Sequence, residues 1–76
     1  MLGEREAVVA DVQPYEVHGS PHVKVALAFP DRTFMQAQLG RESVPEGLQA
    51  GDAVIVRLAM NVVVAIERVS PPHTQS

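Results

Sequence analysis

Apolar and polar residues alternate along most of this chain with a period of two, and clusters of turn residues break the alternation into five short stretches. A period of two places successive side chains on opposite faces of an extended backbone, so each stretch reads as a β-strand with one buried face. The first runs from Arg5 to Val12, with Val8, Ala10 and Val12 sharing a face, and ends at Gln13-Pro14 because proline cannot extend a central ladder. Tyr15 to Pro21 reads as a loop around the turn cluster Gly19-Ser20-Pro21. The second strand, His22 to Phe29, sends Val23, Val25, Leu27 and Phe29 one way and Lys24, Ala26 and Ala28 the other. Pro30-Asp31 suits the centre of a tight turn, since proline presets the first φ.

The third strand follows from Arg32 to Leu39, with Thr33, Met35, Ala37 and Leu39 on its apolar side and Phe34, Gln36 and Gln38 opposite. Gly40 to Gly51 is the longest interruption, in which Ser43-Val44-Pro45-Glu46 offers a cap for a single helical turn. Gly51-Asp52 then leads into the fourth strand, Ala53 to Ala59, with Val54, Val56 and Leu58 inward. A tight connection at Met60-Asn61 gives the fifth strand, Val62 to Val69, where Val62, Val64 and Ile66 are expected inward because that phase leaves Glu67 outside. The expected fold is therefore all-β: a small five-stranded Greek-key barrel of the OB type in residues 1–69, with a short helical turn between strands 3 and 4 and a disordered tail over 70–76. An SH3-like barrel is the alternative topology that this pattern allows.

Length and composition change this picture in three ways. A chain of 76 residues buries only about 60–65% of its unfolded surface, and with no cysteine neither disulfides nor thiolate metal sites supplement the core. Self-association, as a homodimer, is the expected remedy at this size. The net charge of −3, with cations scattered along the chain, argues against a purely electrostatic nucleic-acid binder. No apolar run approaches membrane-spanning length, and Met-Leu-Gly-Glu-Arg-Glu has no hydrophobic signal segment, so the expected location is cytoplasmic.

Candidate chemistry is sparse. His18 and His22 are four residues apart, but Gly19 and Pro21 exclude the helix on which that spacing converges both rings; with His73 they read as exposed loop histidines, not metal ligands. Ser20, Ser43 and Ser70 fall in turns or the tail, where hydroxyls serve local hydrogen bonds, and the acids fall on loops and exposed faces. The reading is of a non-enzyme that needs no cofactor. The outward face of strands 2 and 3 (Lys24, Ala26, Ala28, Phe34, Gln36 and Gln38) offers small side chains, one aromatic and two amides, which suits a protein contact better than base stacking. Arg41 and Arg57 are candidate anion contacts near the loop before the fourth strand.

Two passages carry a resemblance. One is Ala7 through Tyr15 leading into Val23-Lys24-Val25-Ala26-Leu27; the other is Leu48-Gln49-Ala50-Gly51-Asp52 through Leu58, followed by Val62-Val63-Val64. In this order, an apolar opening strand, a hairpin and a leucine-x-x-glycine-aspartate turn into a valine-rich strand, they resemble the TOBE domains, OB-fold modules at the C-terminus of many ABC-transporter ATPases. The resemblance covers nearly all of residues 5–69 and implies a binding or regulatory domain associated with ABC-type transport, taking a small ligand or a protein partner. No phosphate-binding loop is present, so this chain is not itself the ATPase. A narrower similarity is to the molbindins. Glu42-Ser43-Val44, Gly47-Leu48 and Ala50-Gly51 resemble their anion-contacting loop, with Ser43 where a ligand-contacting hydroxyl sits. Where that family tends to carry a lysine, near the last hairpin, this chain has Ala59-Met60-Asn61. The runner-up function is a small OB-fold protein binding single-stranded nucleic acid, like the RNA-binding domains of translation factors. A structural module without a ligand is the third.

Overall fold

The computed structural model describes residues 2–69; the tail over 70–76, expected to be disordered, and His73 lie outside the described residues. Five antiparallel strands form one sheet: β1 (Leu2–Val17), β2 (Ser20–Ala28), β3 (Phe34–Gly40), β4 (Ala53–Ala59) and β5 (Val62–Arg68). Their order across the sheet is β3-β2-β1-β4-β5. β1 is central because it is long enough to serve two partners: Leu2 to Val8 pair with β4, and Val8 to Val17 pair with β2. The sheet is open, and its edges β3 and β5 come within 8 Å (Cα–Cα) of each other without pairing. One turn of 3-10 helix, Arg41–Ser43, links β3 to the connection that precedes β4.

The sheet coils around an entirely apolar core in which Val9, Val25, Leu27, Val54 and Val56 are fully buried, supported by Ala7, Val23, Phe29, Ala37, Leu39, Leu48, Val63 and Ile66. The expected inward sets of β2 and β4 are found as read. Those of β1 and β5 are corrected, for one reason. The β1–β2 register slips between Val9 and Asp11, leaving Ala10 as the extra residue of a bulge. Each bulge shifts the alternation by one residue. Ala7 and Val9 therefore point inward ahead of it and Val12 after it, while Val8 and Ala10 are exposed. On β5 the slip between Arg57 and Leu58 makes Val64 the extra residue, so that Val63 and Ile66 are buried while Val62 and Val64 are exposed. Glu67 remains outside.

The loop expected over Tyr15 to Pro21 is instead strand, closed by the two-residue turn His18-Gly19 with φ of 49° and 80°. Positive φ at both centres is the turn whose twist matches a hairpin, and histidine and glycine both tolerate it. Pro14 pairs with Val23 on the half of β1 beyond the reach of β4, so one side of the strand is open there, and a proline with its nitrogen on that side removes nothing from a ladder. Phe29-Pro30-Asp31-Arg32 forms the expected tight turn, closed by the Arg32 N–H donating to the Phe29 carbonyl at 3.0 Å. The Asp31 carboxylate accepts from both the Thr33 hydroxyl and the Thr33 N–H; those bonds, with Arg5 beside it, hold its pKa below the ordinary aspartate value.

The helical turn also falls earlier than its expected place at Ser43 to Glu46. Pro45 forces Val44 into extended geometry (φ −130°, ψ 154°), so the turn is complete before Val44. The leucine-x-x-glycine-aspartate passage is a hydrogen-bonded turn anchored in the core. Leu48 is buried in the core, and the Asp52 N–H donates to the Gln49 carbonyl at 3.1 Å. The Asp52 carboxylate accepts the Gln49 N–H at 2.9 Å, and Gly51 takes φ +97°, which a side chain would strain. The turn is stitched onto β1 by the Gly51 N–H donating to the Val9 carbonyl at 2.7 Å and the Val9 N–H donating to the Asp52 carbonyl at 2.9 Å.

The β4–β5 turn, Met60-Asn61, has φ of 52° and 68°, and Met60 is 80% exposed. Asparagine and glycine suit those positions, whereas methionine gains nothing from burial there. Replacing the pair (Met60→Asn with Asn61→Gly) is expected to stabilise the fold by about 1 kcal/mol. Chemical denaturation checks this: an unchanged or lower midpoint would contradict the turn assignment.

Candidate functional site

Beyond Val12 the β1–β2 hairpin continues as an arm that β4 does not flank, and the connection between β3 and β4 folds beneath it. Between them lies a cleft of about 440 Å³. Val12, Pro14, Pro21 and Val23 form the arm's side, and Val44, Pro45 and Leu48 form the opposite wall. Polar groups stand around this apolar interior: Arg41, Glu16, Glu46, Tyr15 and His22. A concave apolar surface with a few polar groups at its rim is the usual form of a small-ligand site, and the volume falls within the usual range.

Each wall is held in place by identifiable contacts. On the arm, Tyr15 and His22 are cross-strand partners with ring centroids 5.5 Å apart, and His22 Nδ1 donates to the Ser20 carbonyl at 3.0 Å. With Nδ1 carrying the proton, Nε2 is left as an acceptor in the neutral ring. On the opposite wall, Arg68 at the end of β5 donates to the Glu46 carbonyl at 2.7 Å and pairs with Asp52 at 3.5 Å. One guanidinium thus ties the connection to both the last strand and the glycine-aspartate turn. Arg41 follows Gly40, which pairs with His22, and this places it at the mouth of the cleft beside the arm. It is exposed and, among the described residues, has no carboxylate in ion-pairing range.

The three residues singled out as anion contacts are in three different places. Arg41 lines the cleft. Ser43 lines a neighbouring depression with Val44, Pro45 and Ala65 to Arg68. Arg57 lies on the outer face of β4, paired with Glu67 at 3.2 Å and Glu4 at 3.6 Å, so its charge is already met by two carboxylates. Tyr15 and Glu46 were not singled out by sequence, and His22, read there as an exposed loop histidine, is instead half-buried on β2 against Tyr15. The signal for Tyr15 and His22 is the His18-Gly19 turn, which once recognised sets Tyr15 opposite His22.

The expected outward face of β2 and β3 is assembled as read. The register pairs Ala28 with Phe34, Ala26 with Gln36 and Lys24 with Gln38. β1 extends it with Val8 beside Ala28, Asp11 beside Ala26 and Gln13 beside Lys24. Phe34 is 73% exposed.

His18 occupies its turn, and among the described residues no group of three or more histidine, aspartate or glutamate side chains is placed to hold a metal ion. No helix among them is long and apolar enough to cross a membrane. Comparison with protein-family models, curated proteins and solved structures gives no match.

Proposed function

We propose that this chain is a non-catalytic, TOBE-like binding domain that takes a small anionic ligand in the cleft beneath the β1–β2 arm. The observation that carries this reading is Arg41: a cation without a carboxylate partner among the described residues, at the mouth of a largely apolar cleft. A guanidinium presents paired donors to an oxyanion or carboxylate, and apolar walls strengthen those bonds by excluding water. The strand order supports an OB-like barrel, because β3 and β5 are both the edges of the sheet and near neighbours. In this reading they close a five-stranded Greek key, with the cleft at one end. By resemblance the setting is ABC-type transport, as an accessory or regulatory domain. The glycine-aspartate turn that carries the resemblance also anchors the cleft wall through Asp52 and Arg68.

The test is an NMR titration of the isotope-labelled chain with sodium molybdate and, separately, with sodium sulfate. Saturable shifts are expected at the amides of residues 41–48 and of the arm, with affinity about tenfold weaker or worse in Arg41→Ala. Arg41 is exposed, so that variant keeps its fold. An absence of shifts with either anion, or shifts indifferent to Arg41→Ala, overturns the proposal.

A further inference from the structure

The outer face of β1, β2 and β3 carries its own arrangement of charge, separate from the cleft. Asp11 lies beside Ala26 and Lys24 lies beside Gln13. The two charges therefore stand at opposite corners of a four-residue square whose other corners are Ala26 and Gln13. Neither has an ion-pair partner among the described residues; Asp11 only accepts the Gln13 amide at 3.1 Å. Next to the square runs an apolar row of Phe34, Ala28 and Val8, and β4 continues it with Ala53, the partner of Val8. Phe34 and Val8 are among the exposed large hydrophobic residues of the chain.

We propose that this face docks a second copy of the chain. A two-fold axis lying in the plane of the sheet along the Ala26–Gln13 diagonal brings Asp11 of each protomer against Lys24 of the other. Both unpaired charges are then met twice by a single symmetry operation. An isologous interface requires that kind of self-complementarity. Ala26, on the axis, is small enough to let the sheets approach, and Ala28 beside it leaves room for the exposed Phe34 rings to be covered. The match selects a second copy over a nucleic acid, since the square presents one cation and one anion and the face as a whole, with Glu6 two residues before Val8, carries no net positive charge. Each charge pair favours the dimer, and like-charge juxtaposition opposes it.

Sedimentation equilibrium across a concentration series, with circular dichroism confirming the fold of each variant, reads this directly. The wild-type chain is expected to dimerise. Asp11→Lys places lysine against Lys24 twice, and Lys24→Asp places aspartate against Asp11 twice, so each single variant is expected to dimerise at least roughly tenfold more weakly. Mixing the two single variants restores both attractive pairs and is expected to yield the heterodimer, as is the double variant Asp11→Lys with Lys24→Asp within its own population. A wild-type chain that stays monomeric at all concentrations overturns the proposal, as does a dimer unaffected by either single change or a mixture that forms no heterodimer. Anion binding at the cleft plays no part in this readout, so the two proposals fail independently.

Discussion

Val9→Asp is expected to leave the chain unfolded, whereas Val8→Asp, one residue away, is expected to fold. Val9 is 1% exposed at the centre of the core and Val8 is 46% exposed on the outer face. A carboxylate at position 9 has no partner among the apolar side chains around it, and an uncompensated buried charge costs several kcal/mol. A domain of this length is held together by only about 4–11 kcal/mol. The strand cannot shift to expose that carboxylate without breaking backbone bonds, because the Val9 N–H and carbonyl stitch β1 to the glycine-aspartate turn. Far-UV circular dichroism and amide dispersion in NMR spectra of both variants decide the matter. The reverse result, with position 8 intolerant and position 9 permissive, would mean that β1 has the opposite phase and the bulge at Ala10 is not formed.

Leu27→Ala is expected to cost about 3 kcal/mol, within the range for deleting three buried carbons from a core that relaxes only partly around the cavity. Leu27 is 0% exposed, on the middle of β2, and is among the largest fully buried side chains. At this chain length a loss of that size lowers the melting temperature by roughly 15 °C. Val62, 61% exposed on β5 and outside the proposed dimer face, is the internal control, and Val62→Thr should leave the melting temperature nearly unchanged because its side chain faces away from the core. Calorimetry measures both; a Leu27→Ala shift of only a few degrees would mean that the sheet does not coil tightly enough to enclose that side chain.

Much of this architecture was legible in residue order alone, and the reasons are local. Alternation in Val23-Lys24-Val25-Ala26-Leu27 and in Val54-Ile55-Val56 assigns faces without knowledge of the partner strands, because each run is regular and free of bulges. Pro30-Asp31 and Gly51-Asp52 announce their turns through chemistry that acts within four residues. The outward set of β2 and β3 followed from the same alternation, and with it the face on which the second copy is proposed to sit.

The cleft was less legible. Arg41 was singled out, but its setting depends on the arm above it. That arm is hidden when Gln13-Pro14 is read as the end of one strand and Gly19-Ser20-Pro21 as the turn before the next. Prolines do break a central ladder; here Pro14 lies where β1 has only β2 beside it and Pro21 where β2 has only β1, a fact that belongs to the sheet and not to the residues. Arg57 failed in the opposite way. Its type suits an anion, but the register sets Glu4 beside it on β1, and Glu67 reaches it from β5.

By itself, then, the sequence determined the fold class, the number of strands, the core of β2 and β4 and three of the turns, since each of these rests on forces acting between near neighbours. Tertiary structure decided the phase of β1 and β5, the reach of the hairpin arm and the grouping of Arg41, Tyr15, His22 and Glu46 around one cleft. The physical reason is that a bulge is placed by the competition of two partner strands for one backbone. Ala10 is extra only because Val9 is held by the turn at Gly51-Asp52 on one side while β2 continues on the other. No residue at position 10 signals that.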